Sequence, residues 1–467
     1  MAGSHPLISY TVFIFSLLLV FSCLNTVHGR HETVYSHVVA VENLLPATTC
    51  LFTPTGLKAS PSVLQLHNKY SPCYTQKAPA YTEILLQDEA RVRAINSKIL
   101  KGGSFLTSKQ AKLPANSGTS LGTGNFFVTL GFGSPKKDLP VIFDTGSDLT
   151  WIQCQPCAEG YCYNQRDPIF DPTNSTSYSN ISCSSTACST LISGTGTNPG
   201  CSISACVYGI QYGDQSYSIG LFGQETLTVS PSDVFPSFQF GCGQNNYGLF
   251  GQASGLLGLG RDKISFVSQT AAKYNKLFSY CIPSKSSGYL AFGVPSTGAK
   301  YTPLVTDSRG SSFYFLNLQG ISVAGKVLSI PSSTFTVGGT IIDSGTVITR
   351  LPPTAYSALS TAFRQAMKAK GYKSAPALSI LDTCYDFTGM ANVSFPRISL
   401  LFSGGTRMDI AAHGILDAQK VSQVCLAFAG NSNDKDTGII GNIQQQTLEV
   451  VYDVAAAKLG FRPGGCA

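Results

Sequence analysis

Histidine is nearly missing from most of this 467-residue chain: of six histidines, only His413 lies beyond residue 114. A zinc site built on several imidazoles is therefore excluded from the long remainder. A Ser-His-Asp or Cys-His nucleophile would have to rely on His413 alone, in AAHGIL, where no nucleophile motif matches it. His413 reads as an ordinary loop or core residue. Charge is also sparse, at 12%, which fits strands that bury much of their surface. The net charge of +7 is concentrated at the front. Residues 1–114 hold ten Lys or Arg against five Asp or Glu, which is +5, and residues 115–467 hold 22 against 20, which is +2. Nucleic acid as a partner loses its electrostatic footing. After the apolar run from Leu7 to about Leu24, no second stretch approaches membrane-spanning length, and the end GFRPGGCA lacks the apolar tail of a lipid-anchor signal.

That single apolar run and the small and polar residues behind it resemble a signal peptide, residues 1–29, cleaved near Gly29. A signal anchor is the competing reading, since the run is long and no Lys or Arg precedes it. Cysteine usage fits export. Cys23 lies in the leader, Cys50 and Cys73 come soon after it, and twelve more lie between Cys154 and Cys466, an even set suited to six disulfides in an oxidising compartment. Three glycosylation sequons, at Asn174, Asn180 and Asn392, fit the same route. The expected destination is outside the cell or the vacuole, with no membrane contact once the leader is cut.

Residues 30–114 differ in composition from the rest of the chain, with few glycines and a charged stretch over Tyr81–Leu100 whose Ile84, Leu85, Val92, Ile95 and Leu100 recur at helical spacing. The polar run Gly102–Gly124 suits an exposed processing linker. From Asn125 onward, short β-branched and aromatic runs such as FFVTLGF, PVIFDTG and FYFLNLQGISV are separated by Gly, Ser, Asn and Pro clusters. This pattern predicts an all-β protein, with helices only near Ser265–Tyr274 and Pro353–Lys370.

Two segments share a design: Val141-Ile142-Phe143-Asp144-Thr145-Gly146-Ser147 and Thr340-Ile341-Ile342-Asp343-Ser344-Gly345-Thr346. Each brings an Asp, a hydroxyl residue and a Gly to the end of an apolar strand. Asp-Thr-Gly alone is weak evidence, because Asp436-Thr437-Gly438 is a third copy behind the polar run NSNDK. The first two gain weight from a second element in each half, Gly255-Leu256-Leu257-Gly258 and Gly438-Ile439-Ile440-Gly441. Glycines at both ends let such a segment pass close under an Asp loop. Asp436 then reads as a surface charge leading into that element.

Together with Trp151, seven positions after Asp144, and Tyr212 inside VYGIQYGDQSYSIG, these motifs resemble the pepsin-like aspartic proteases. The cysteine-rich insert from CQPCAEGYC to CSISAC, with FGCG, FSYC and LDTCYDF, is similar to the plant nepenthesin-type branch. The resemblance runs from about Asn125 to the end. It implies a bilobal fold with the cleft between lobes, residues 30–114 as an inhibitory propeptide, 115–305 as the N-terminal lobe and 306–467 as the C-terminal lobe. It implies Asp144 and Asp343 as a catalytic pair acting through water on protein or peptide substrates, without metal or cofactor, in a monomer. Thr145 and Ser344 would brace the loops, Gly146 and Gly345 complete them, and Ser147 and Thr346 would bond the outer carboxylate oxygens. Tyr212 would cover the substrate from a flap hairpin, oriented by Trp151. The competing reading of this sole tryptophan is a core aromatic.

Short loop lengths and the resemblance imply Cys183–Cys206 and Cys188–Cys201. The resemblance further implies Cys154–Cys157, Cys162–Cys242, Cys281–Cys466 and Cys384–Cys425. Relatives usually carry Gly where this chain has Gln215, so the flap tip departs from the pattern. Two other functions compete: a catalytically silent relative that binds other proteins, and a plastid protease associated with nucleic acid.

Overall fold

The computed structural model describes residues 35–46, 62–69, 80–100, 126–157, 160–212, 216–248, 250–284 and 288–466. The expected leader and linker, Cys23, Cys50, Cys73 and Gln215 lie outside the described residues.

Strands dominate, as the alternating and apolar runs require. Phe126–Phe132 is buried at six of its seven positions because it is covered on both faces. It pairs antiparallel with Lys137–Asp144, and the Val141–Asp144 end of that strand then runs parallel to Gly255–Gly258. Gly255–Gly258 is in turn antiparallel to Trp151–Gln153, with Leu256 opposite Trp151. The second half repeats this layout. Thr340–Ile342 runs parallel to Gly438–Ile440, and Arg350 stands opposite Ile439. Each half thus ends an apolar strand at an Asp loop, pinned by a glycine-bounded segment beside it.

A shared sheet joins the halves. Its order is Val63–Asn68, Gly288–Phe292, Leu277–Cys281, Leu448–Asp453, Lys458–Pro463 and Lys300–Val305, each antiparallel to the next. Aromatics fill the space above it. Phe278 stacks on Tyr452 at 4.4 Å between ring centres, and Tyr314 meets Tyr452 edge-on at 4.6 Å. The Tyr280 and Tyr452 hydroxyls, both buried, hydrogen-bond at 2.9 Å. Their polar ends are satisfied inside the apolar core.

The expected helices form, and among the described residues the sequence pattern missed five short ones of a single turn or little more, Thr186–Ser189, Leu191–Thr195, Ser333–Thr336, Ala412–Ile415 and Asn442–Gln445. Pro353–Ala369 begins on a proline, whose missing N–H is not needed in a first turn, and buries Ala355, Leu359, Phe363 and Met367 in one stripe. The Ser265–Tyr274 region forms two short helices, Phe266–Gln269 and Ala271–Tyr274. Tyr81–Leu100 is one continuous helix, called the cleft helix below. Two other early segments join the sheets: Ser36–Ala40 pairs with Asn392–Pro396, and Val63–Asn68 reaches both Gly288–Ala291 and Phe126–Phe127. No helix among the described residues is long and apolar enough to cross a membrane.

All twelve cysteines from Cys154 onward are paired, but four of the six expected pairings are corrected. Cys281–Cys466 and Cys384–Cys425 form. Cys154 bonds Cys242 instead of Cys157, and Cys157 bonds Cys162. The reason is strand register. Trp151–Gln153 runs parallel to Gly241–Gly243, which carries Cys154 to within 5.2 Å of Cys242 between Cα atoms. In the insert, Cys183 bonds Cys201 and Cys188 bonds Cys206, where the opposite exchange was expected. Burial sorts them. Cys188 and Cys206 both sit in the apolar cluster, whereas Cys201 is exposed and Cys183 half-buried. Loop length could not decide this, because closure entropy changes only slowly with the number of residues enclosed.

Candidate active site

Asp144 and Asp343 face one another from equivalent strand ends. Each carboxylate is held twice by its own loop. Asp144 accepts from the Gly146 N–H at 3.0 Å and the Ser147 hydroxyl at 2.7 Å. Asp343 accepts from the Gly345 N–H at 3.0 Å and the Thr346 hydroxyl at 2.6 Å. The loops also hold each other. The Thr145 N–H donates to Ser344 Oγ at 3.1 Å and the Ser344 N–H donates to Thr145 Oγ1 at 2.9 Å. Glycine is required at two places for a mutual reason: a Cβ on Gly146 would lie 2.7 Å from Asp343 Oδ1, and one on Gly345 would lie 2.6 Å from Asp144 Oδ1. Each loop's glycine makes room for the other loop's carboxylate.

From below, the turn after Gly441 clamps the second loop. Asn442 Nδ2 donates to the Ser344 carbonyl at 3.1 Å, and Gln445 Nε2 donates to the Asp343 carbonyl at 3.2 Å. Above the first loop, the hairpin of Ala205–Gln211 and Tyr217–Ser230 brings Tyr212 to the buried Trp151, whose indole N–H donates to the Tyr212 hydroxyl at 2.7 Å. Neither Asn442 nor Gln445 stands out in the sequence; they come directly after the glycine-bounded segment, which is the signal that could have found them.

The third Asp-Thr-Gly does not join this site. Asp436 is not the surface charge expected: it is 8% exposed and accepts from both the backbone and side-chain nitrogens of Asn433, at 3.2 and 2.9 Å. It closes a local turn whose next residue, Thr437, bonds Asn96 of the cleft helix. The three sequon asparagines, Asn174, Asn180 and Asn392, are exposed.

The cleft helix lies across the pair and inserts Arg91 between them. Arg91 Nη2 donates to Asp144 Oδ1 at 2.7 Å and to Asp343 Oδ1 at 3.0 Å, and its Nε donates to Asp343 Oδ2 at 3.0 Å. Burial by itself would raise both carboxyls, but the Arg91 guanidinium and the Ser147 and Gly146 donors bring Asp144 below its ordinary value. Asp343 stays raised, by burial first and then by the neighbouring Asp144 charge, against the pull of Arg91. Two like charges this close cannot both ionise freely, and the environment here splits them.

Asp88, one turn before Arg91, anchors the helix on the second half. It accepts from the Val347 and Ile348 N–H groups at 2.5 and 3.0 Å and pairs with Arg350 at 3.1 Å. Tyr81 at the helix start bonds Asp417, and Asn96 near its end accepts from the Thr437 N–H at 2.6 Å. Among the described residues, no group of three His, Cys, Asp or Glu could hold a metal ion.

Comparisons with known proteins show the family and the fold. Two family models match in tandem: one described as xylanase inhibitor N-terminal over residues 126–294, the other as xylanase inhibitor C-terminal over 313–463. An aspartyl protease family protein of Arabidopsis thaliana is 50% identical over 96% of this chain and 98% of its own length. The chain belongs to the plant, atypical branch of the pepsin-like aspartic endopeptidases. Aspartic proteinase nepenthesin-2 of Nepenthes gracilis, 37% identical over 81% of this chain and 84% of its own, lies in the same group. The crystal structure of edgp superposes with a TM-score of 0.59 at 21% identity, covering 76% of this chain and 93% of the other, which shows the shared bilobal β fold.

Proposed function

We propose that this chain is an exported zymogen in which Asp144 and Asp343 activate one water molecule to hydrolyse peptide bonds of protein substrates at acidic pH. The observation that carries this is a single nitrogen, Arg91 Nη2, within 3.0 Å of oxygens from both carboxylates. One small group placed between the loops touches both, which is what a shared water requires. With Arg91 withdrawn, the ionised member of the pair takes a proton from the water as its oxygen attacks the scissile carbonyl carbon. The protonated member polarises the carbonyl oxygen and then helps protonate the leaving nitrogen. Ser147 and Thr346 hold the outer oxygens, and the Thr145–Ser344 brace keeps both carboxylates in place.

In this reading residues 30–114 are a propeptide, 115–305 and 306–467 are the two lobes, and the exposed sequon asparagines carry glycans acquired in export to the cell exterior or vacuole as a monomer. The names of the matching family models favour a second reading, an inhibitor without activity. The intact Asp pair, brace and flap tyrosine support the protease.

Purified protein lacking only its leader would be acid-treated and given a denatured protein with and without a pepstatin-type inhibitor. Inhibitor-sensitive cleavage is expected, falling by several orders of magnitude in Asp144→Asn and Asp343→Asn with folding retained, and nearly unchanged in Asp436→Asn. Full activity in Asp343→Asn would overturn the assignment. No cleavage by the unaltered protein would favour the inhibitor.

A further inference from the structure

Arg350 is wholly buried, yet both of its carboxylate partners belong to the cleft helix. Its Nη2 lies 3.1 Å from Asp88 and 3.3 Å from Glu89, its Nε lies 3.4 Å from Glu89, and only Nη1 is tied to its own lobe, donating to the Ile348 carbonyl at 2.9 Å. Its place in the fold is equally telling. Arg350 comes seven positions after Asp343, as Trp151 does after Asp144, and each stands opposite the first apolar residue of its glycine-bounded segment. Where the first half puts an aromatic that holds the flap tyrosine, the second half puts a cation.

The carboxylate of Asp88 gathers three donors from one short stretch: the N–H groups of Val347 and Ile348 and the guanidinium of Arg350. That carboxylate is itself fully buried. These donors begin two residues beyond the Asp343–Gly345 loop and face the same helix that covers the Asp pair through Arg91, so they open onto the space that helix fills. If the helix leaves, the donors stay and the anion goes. A guanidinium stripped of both carboxylates is strongly unfavourable unless another anion takes their place.

We propose that residues 347–350 form a carboxylate subsite of the cleft, in which Arg350 selects an Asp or Glu side chain of the substrate and Asp88 is its built-in stand-in. The proposal rests on the protease reading. A substrate carboxylate there accepts the same bonds that Asp88 accepts, with Arg350 supplying a charged, directional donor. Glutamine of the same shape would leave the buried cation unpaired.

The test uses acid-processed enzyme and peptides amidated at the C-terminus, which removes the terminal carboxylate as a source of the anion. Pairs differing only by Glu or Gln are scanned through each position around the cleaved bond at about pH 5, above the ordinary glutamate value. One position is expected to favour Glu by about tenfold or more in kcat/KM. Arg350→Gln should bring that ratio close to one, Arg350→Lys should keep part of it, and Arg350→Glu should transfer the preference to Lys. Cleavage by the unaltered enzyme with no position favouring Glu would overturn the subsite alone, whether or not the variants fold. A preference that survives in Arg350→Gln would do the same. An unaltered enzyme that cleaves none of the peptides would instead sink the protease reading beneath it.

Discussion

Arg91 donates to Asp144 at 2.7 Å from a helix more than fifty positions earlier in the chain, and the same nitrogen reaches Asp343. The pair is thereby a lock with a pH-dependent strength. Asp144 is held below its ordinary value by Arg91, so its contribution to helix docking is present above about 3.8 and is lost as pH falls through its lowered value. Asp343 is raised instead, so its contribution has the opposite sign: it favours the docked state while protonated and is lost as pH rises through its raised value.

Arg91→Gln should therefore weaken the lock without touching the Asp loops. The uncut precursor carrying it is expected to cleave a fluorogenic peptide near pH 5.5 at least about tenfold faster than the unaltered precursor. Equal silence of the two precursors at that pH would show that the helix blocks the cleft by bulk alone.

Asp148 offers a second pH dependence, inside the first lobe. It is fully buried, accepts from the Asp262 N–H at 2.8 Å, and burial pushes it up to about 7. A raised carboxyl favours the folded state while protonated, so this contribution is complete below about 3.8 and is lost as pH rises through about 7. Thermal unfolding should show stability falling between pH 4 and 8 by up to about 4 kcal/mol, and Asp148→Asn should flatten that slope. An unchanged slope in the variant would place its origin elsewhere.

The Trp151 indole N–H and the Tyr212 hydroxyl form one unit over the first loop. Trp151→Phe keeps an aromatic in the core but removes the donor, and kcat/KM should fall about tenfold. Tyr212→Phe should cost a similar factor, and the double variant little more than either alone. Fully additive losses would mean that the two side chains act separately.

The paired Asp motifs, their glycine-bounded partners and the helix Tyr81–Leu100 were legible because each is a local pattern that one strand end or one helix face enforces. What the helix does was less legible, although the signal exists. Ile84, Asp88, Arg91 and Ile95 are spaced four, three and four apart, so the two charges lie in the apolar stripe. Charges on the buried face of a helix need buried partners, a demand that the apolar positions alone do not express. The pairings of Cys154, Cys157, Cys162 and Cys242 depend on a parallel strand register between residues about ninety positions apart, which no local pattern encodes. Asp436 breaks the rule that a polar run marks a solvent face, because Asn433 folds back to bond it and the next residue, Thr437, is bonded by Asn96 of the cleft helix.

Ser36–Ala40 and Val63–Asn68 are laid into the sheets as working strands, one against Asn392–Pro396 and the other bridging Gly288–Ala291 to Phe126–Phe127. Severing the chain between Leu100 and Phe126 therefore cuts connectivity without undoing assembly. The early fragment, once nicked, would still be fastened by two ladders at separate points, while the helix between its strand and the cut is held mainly by its own side-chain bonds through Asp88, Arg91 and Asn96. On the zymogen reading proposed above, activation and dissociation would then be separate events, and the working enzyme is expected to keep the early strands as a second chain.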